Sequence, residues 1–239
     1  MISVKNLTKR YGKVLAVDNV TFECRPGTVT GFLGANGAGK STTLRMICGL
    51  TRPTIGTATI AGAAYQDLLN PARQIGVLLD ASAQHKGRTG GEVLGLAAMV
   101  AGVPRQRVPQ LLEQVGLAAA ARRRTGSYSL GMRQRLGIAH ALIGDPQVLV
   151  LDEPANGLDP EGIVWMRHLL RGFADRGGTV LLSSHLLHEI EAIADQVIMI
   201  NKGQIIADGD LKQLAAGGHS LEELFFAYAN ANTNQRDAA

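Results

Sequence analysis

The segment Gly34-Ala35-Asn36-Gly37-Ala38-Gly39-Lys40-Ser41-Thr42 sets glycines, a lysine and two hydroxyls at fixed spacing, a complete match to the pattern G-x-x-x-x-G-K-[ST]. Glycines let the backbone curl so that successive N–H groups point inward at a polyphosphate. Gly34, Asn36, Gly37, Ala38, Gly39, Lys40, Ser41 and Thr42 are therefore the candidate phosphate-binding residues. Lys40 brings a mobile positive charge to the β- and γ-phosphates, and the Ser41 hydroxyl can ligate Mg²⁺. An apolar run from Thr28 to Leu33 precedes the loop and a helical pattern from Thr42 to Leu50 follows it. A helix N-terminus below the loop adds its own preference for an anion.

Two further groups extend that chemistry from binding to reaction. Gln147-Val148-Leu149-Val150-Leu151-Asp152-Glu153-Pro154 is a buried-strand pattern that ends in adjacent acids. Neighbouring acids at a strand end can divide labour. Asp152 would hold Mg²⁺ directly or through water, while Glu153 would orient or deprotonate an attacking water. Ser183-Ser184-His185 ends another strand, so His185 emerges at the carboxyl edge that carries the phosphate loop, where ligands of open α/β sheets bind. A solvent-facing pair of acids and a structural histidine are the plainer readings. Their coincidence with Lys40 favours a nucleotide triphosphate site in which His185 contacts the γ-phosphate.

These groups need a sheet to position them. Strand-like runs occur at Ile2–Leu7, Val20–Cys24, Thr28–Leu33, Thr57–Ala61 and Ile75–Leu79, then again at Val148–Leu151, Thr179–Ser183 and Val197–Ile200. Helical patterns at Glu161–Arg176 and Leu186–Ala194 separate the last three, and such alternation predicts a parallel sheet with crossover helices. From Gly91 to about Ile143 the chain turns Ala/Leu- and Arg-rich with little β-branching. The expected architecture is an α/β core, residues 1–80 and 146–217, interrupted by a helical unit over 81–145. Leu221, Leu224, Phe225 and Tyr228 share one face of an expected C-terminal helix over 218–229. The polar residues 230–239 read as a disordered tail.

Composition narrows the partners. The 239 residues are 46% hydrophobic and 18% charged, with 24 Lys+Arg against 20 Asp+Glu. The basic run Arg122-Arg123-Arg124 is short and aromatics make up only 4% of the chain, so neither a basic stripe nor a stacking platform for nucleic acid is present and none is expected as a partner. Cys24 and Cys48 fit no metal spacing and read as reduced core thiols. The chain opens on a strand-like segment rather than a secretory signal. Its longest apolar stretch, near Val93 to Val103, falls far short of the ~20 residues that a bilayer span needs. A membrane role would go through a partner.

From Ile2 to Tyr228 the order of these motifs resembles the ATP-binding subunits of ABC transporters. That resemblance implies a P-loop NTPase core with an N-terminal antiparallel β-subdomain and an inserted α-helical subdomain, ATP and Mg²⁺ as ligands, and ATP hydrolysis. Tyr11, in Lys9-Arg10-Tyr11-Gly12, matches the aromatic that stacks on adenine. Asn156-Gly157-Leu158-Asp159 matches the D-loop at the dimer interface. Tyr128-Ser129-Leu130-Gly131-Met132 stands where the family carries Leu-Ser-Gly-Gly-Gln. Ser129 and Gly131 are kept there, while Leu130 and Met132 replace a glycine and a glutamine.

The family glutamine that senses the metal aligns with Asp80, which the resemblance implies is a Mg²⁺ contact, with Gln84 close enough to substitute. The resemblance further implies a head-to-tail dimer, each ATP held by one phosphate loop and the other copy's Ser129. It also implies attachment to the cytoplasmic face of the cell membrane through an integral membrane subunit. Leu78-Leu79-Asp80-Ala81 followed by His85-Lys86-Gly87-Arg88-Thr89 resembles the drug- and antibiotic-export branch. A soluble ABC-type ATPase acting on ribosomes or DNA is the alternative, though such proteins generally carry two cassettes or long basic insertions. A P-loop kinase would want a lid and an acceptor site, and Glu153 suits water better.

Overall fold

Strand β1 (Ile2–Tyr11) turns back at Gly12, whose φ of 55° lies in the left-handed region that favours glycine, into β2 (Val14–Cys24). A third antiparallel strand, β4 (Ile55–Ile60), pairs with the other edge of β1, giving a small sheet in the order β2-β1-β4. The larger sheet, in the computed structural model that describes residues 1–217 and 220–236, has six strands. In spatial order these are β5 (Ile75–Leu78), β6 (Val148–Asp152), β7 (Thr179–Ser184), β3 (Val29–Leu33), β8 (Gln196–Asn201) and β9 (Gln204–Asp210). The first five run parallel and β9 closes the edge antiparallel to β8. Every residue of β3 and β7 is buried, as expected of strands covered on both faces.

Period-two alternation then assigns each strand residue to one of two cores. Phe32, Val150, Leu181 and Ile198 pack with the small sheet and with helix α1 (Lys40–Ile47). Leu33, Leu149, Leu151 and Leu182 pack on the opposite side. There they meet the helices between β5 and β6, namely α3 (Gly90–Ala101), α4 (Arg107–Gln114) and α5 (Leu130–Leu142), which follow a short α2 (Pro71–Gln74). Thr89 and Glu92 form a reciprocal cap at the start of α3, satisfying two N–H groups that a helix end leaves open. Helix α6 (Pro160–Asp175) covers the same face, and α7 (Leu187–Glu191) follows β7.

The structure departs from the sequence reading at the C-terminal side. Strand β9 was not expected, because Gln204-Ile205-Ile206-Ala207-Asp208-Gly209-Asp210 lacks a sustained apolar run. The signal lay in the turn, where Lys202 and Gly203 have φ of 47° and 83°, the paired left-handed residues of a tight hairpin. After α8 (Leu211–Leu214), the last helix α9 runs from Leu221 to Arg236. The disordered tail expected from residue 230 is thus helical through Arg236. That stretch contains no Gly or Pro to end the helix, although its three Asn and one Thr are poor helix formers. Residues 218, 219 and 237–239 lie outside the described residues. Leu221 is fully buried and Leu224 and Phe225 pack on the core, whereas Tyr228 stays exposed. Among the described residues no helix is long and apolar enough to cross a membrane.

Both cysteines are free and buried. Burial pushes the Cys24 and Cys48 thiols up to about 12, so neither supplies the thiolate that reacts. A disulfide-exchange reagent at pH 8 should leave both thiols unmodified in the native chain and titrate two after denaturation. Rapid reaction of either thiol in the native chain contradicts this packing.

Candidate functional site

The loop between β3 and α1 is shaped by positions that only glycine fills. Gly37 and Gly39 have φ of 80° and 109°, and a Cβ on Gly34 would lie 2.5 Å from the Ile200 carbonyl. Gly39 caps α1, and the Thr43 N–H and hydroxyl both donate to its carbonyl at 2.9 and 3.0 Å. Lys40 is only 6% exposed. Its Nζ reaches back to donate to the Gly34 and Ala35 carbonyls at 2.6 and 3.3 Å. None of the ion pairs among the described residues includes it, so its direct partners are backbone carbonyls.

The ends of β6 and β7 bring the next groups to the same edge. Ser41 Oγ donates to Asp152 Oδ2 at 2.8 Å, and Ser183 Oγ donates to Asp152 Oδ1. Glu153 N–H donates to the Ser183 carbonyl at 3.2 Å and to its hydroxyl at 3.1 Å. The Glu153 backbone is left-handed, with φ of 50°, a conformation costing a non-glycine residue on the order of 1–3 kcal/mol. From that position its Oε2 lies 2.7 Å from His185 Nδ1. An Nδ1–H that donates to this carboxylate leaves Nε2 facing away from it.

Lys40, Ser41, Asp152, Glu153 and His185, read from three separate sequence segments, therefore share one site. A hydroxyl and a carboxylate in contact are hard oxygen donors. Among the described residues no group of three or more His, Cys, Asp or Glu forms a metal cage. This donor set fits Mg²⁺, a cation commonly held by one or two carboxylates together with substrate phosphates.

The other expected site residues lie apart from that group. Tyr11, 48% exposed, ends β1 with the Lys9 ammonium 4.9 Å from its ring centroid. Ser129 caps α5 by accepting from Met132 N–H at 3.1 Å, and Asp159 caps α6 by accepting from Gly162 N–H at 2.9 Å. Gly131 lies against the backbone of Gly157, where a Cβ would meet the carbonyl at 2.7 Å. Leu130, 47% exposed, lies beside Gly157, where its side chain would obstruct any added Cβ.

Asp80 turns its carboxylate onto its own loop, accepting from Ser82 N–H at 2.7 Å and from the Ser82 hydroxyl at 2.6 Å. The Ser82 hydroxyl and then its N–H hold the Asp80 pKa below the ordinary carboxylate value. Gln84 donates to the Arg133 carbonyl at 3.3 Å, while its own Oε1 is buried without a partner. Neither residue bonds to Asp152 or Ser41.

Two residues near the site were missed in the sequence. Glu189, buried on α7, has its pKa raised mainly by burial and also by the charge of Glu153, with His188 and Arg167 pulling the other way. Gln134, on α5, donates to the Glu153 carbonyl at 3.0 Å. A glutamate one helical turn past His185 was a readable signal. Nothing in spacing pairs Gln134 with Glu153.

Comparison with known proteins bears on the family. Residues 17–156 match the ABC transporter family. The bacitracin transport ATP-binding protein BcrA of Bacillus licheniformis is 40% identical over 211 residues, spanning 87% of this chain and 69% of that protein. The lantibiotic transport ATP-binding protein SrtF of Streptococcus pyogenes is 37% identical over 227 residues, 94% of this chain and 96% of that one. A dimeric ATP-binding cassette solved in a post-hydrolysis state with ADP and Pi superposes with a TM-score of 0.80 at 25% identity, covering 88% of this chain and 99% of that chain. With the phosphate loop and the strand-end acids built on that fold, the chain belongs to the ABC transporter family and is an ATP-binding, ATP-hydrolysing subunit.

Proposed function

We propose that this chain drives export of an antibiotic or peptide-like compound through a separate membrane subunit, working as a head-to-tail pair of copies. The observation that carries the reading is the convergence of Lys40, Ser41, Asp152, Glu153 and His185 on one sheet edge, joined by the 2.8 Å Ser41–Asp152 and 2.7 Å Glu153–His185 contacts. Relatives named for bacitracin and lantibiotic transport support the cargo class. Leu96 and Val100, exposed on α3, border a groove of about 470 Å³ and offer the membrane subunit an apolar surface. Attachment there would hold the chain at the cytoplasmic face of the membrane.

In this reading Lys40 exchanges its carbonyl partners for the β- and γ-phosphates of ATP. Ser41 and Asp152 would hold Mg²⁺, which would supply charge neutralisation to the phosphate oxygens. Glu153 orients the attacking water and accepts its proton. His185, with Nδ1 held by Glu153, presents its other ring nitrogen toward the γ-phosphate. Tyr11 stacks on adenine. Ser129 and Gly131, at the N-terminus of α5, face the ATP of the other copy, where the open N–H groups of a helix favour an anion. Asp159 belongs to the loop that crosses between copies. ATP binding closes the pair and hydrolysis reopens it.

Replacing Glu153 with Gln keeps the shape and removes the base, so ATP binding should persist while turnover falls about 10²–10⁴-fold and an ATP-bound dimer accumulates. Steady-state ATPase with size-exclusion chromatography reads both effects, and near-wild-type turnover would move the base elsewhere. Asp80 is proposed as an outer contact to hydrated Mg²⁺, reached by releasing Ser82. Asp80→Ala should then lower ATPase activity, and alter its Mg²⁺ dependence, more than Gln84→Ala does with the membrane subunit present. Loss confined to Gln84→Ala would put the metal-sensing position at Gln84.

A further inference from the structure

We propose that Gln134 is a positioning residue that aims Glu153, tethering the helix that starts at Ser129 to the catalytic carboxylate of the same copy. The inference rests on the reading of Glu153 as the base. Gln134 is 3% exposed, and burial of an amide is costly unless it is hydrogen-bonded. Its Nε2 donates to the Glu153 carbonyl at 3.0 Å.

That carbonyl already accepts from Asn156 N–H at 3.1 Å, so the Gln134 bond is not needed to rescue an orphaned acceptor. It does something else. The Glu153 N–H is held by Ser183 at the end of β7, and the Gln134 bond fixes the other side of the same residue from α5. A non-glycine residue at a φ of 50° stays there only where its surroundings over-determine it. The 2.7 Å approach of Oε2 to His185 Nδ1 depends on that backbone.

The same helix grips the loop a second time. Gly131 has no space for a Cβ, which would lie 2.7 Å from the Gly157 carbonyl, and Leu130 presses on Gly157. The first turns of α5 thus hold the segment from Glu153 to Gly157 near both of its ends. Movement of the α5 N-terminus, which in the proposed pair faces the ATP of the other copy, is transmitted to Glu153 through Gln134. Occupancy of one site would then set the aim of the base in the other.

The test uses the full chain and steady-state MgATP hydrolysis. Gln134→Met keeps the length and removes the donor, and should lower kcat about 10–100-fold with ATP affinity unchanged. Gln134→Glu keeps the shape. Ionised, its carboxylate faces the Glu153 carbonyl without a proton to give; protonated, it donates as the amide does. Its kcat relative to wild type should therefore recover as pH falls, which a packing role alone would not produce. Wild-type kcat in Gln134→Met, parallel loss of kcat and affinity, or a pH-independent ratio for Gln134→Glu would each overturn the proposal. Glu153→Gln keeps the two readings apart: turnover in that variant refutes the base, whereas an inactive Glu153→Gln beside a fully active Gln134→Met refutes the tether alone.

Discussion

The site is organised around a buried lysine that has no carboxylate partner among the described residues. Taking an ammonium out of water costs several kcal/mol in a protein interior, and Lys40 recovers only what two carbonyls of its own loop return. Such an arrangement persists because the loop cannot relax. Gly37 and Gly39 hold left-handed angles, and Gly34 lies against the Ile200 carbonyl without space for a side chain. A loop held in left-handed conformations beside a cation is the kind of backbone that receives a polyphosphate.

The rest of the fold brings oxygen donors and a base to that cation without adding a counter-charge directly to it. Parallel pairing of β6 with β7 and of β7 with β3 sends three strands to one edge in register: Leu33 opposite Ser184, and Asp152 opposite Ser183. Asp152 is then taken up by hydroxyls, those of Ser41 and Ser183. Glu153 is turned by its left-handed backbone toward His185. Adjacent acids thereby receive different partners, one suited to a metal and the other to a proton, from a single change of backbone direction.

Much of this was legible in the sequence, and for physical reasons. Strand runs such as Val148–Leu151 must be apolar throughout because both faces are covered, and the phosphate loop must carry glycine where φ is positive. Glu153 and His185 were placed on one edge because both stand at strand ends, whereas their direct contact at 2.7 Å was not read. What stayed hidden depends on long-range packing. Strand β9 carries little apolar signal because it lies at an edge and is secured by its hairpin. Helix α9 continues through polar residues that no apolar period marks, from a start where the Leu221 N–H donates to Glu191 at 2.5 Å. The Gln134–Glu153 bond joins residues 19 positions apart across two elements, and no local pattern encodes it. Asp80 is a case where motif position and observed contacts differ, because the Ser82 hydroxyl and N–H are nearer donors than any group in the site.

The central claim is that Lys40 is held as an uncompensated cation for the phosphates of ATP. Equilibrium binding of ATP to the native chain and to Lys40→Ala, measured in Mg²⁺, tests it most directly. The account predicts that affinity falls at least about tenfold, on the order of 1.4 kcal/mol, with the fold intact. Unchanged affinity in a folded Lys40→Ala chain would contradict it.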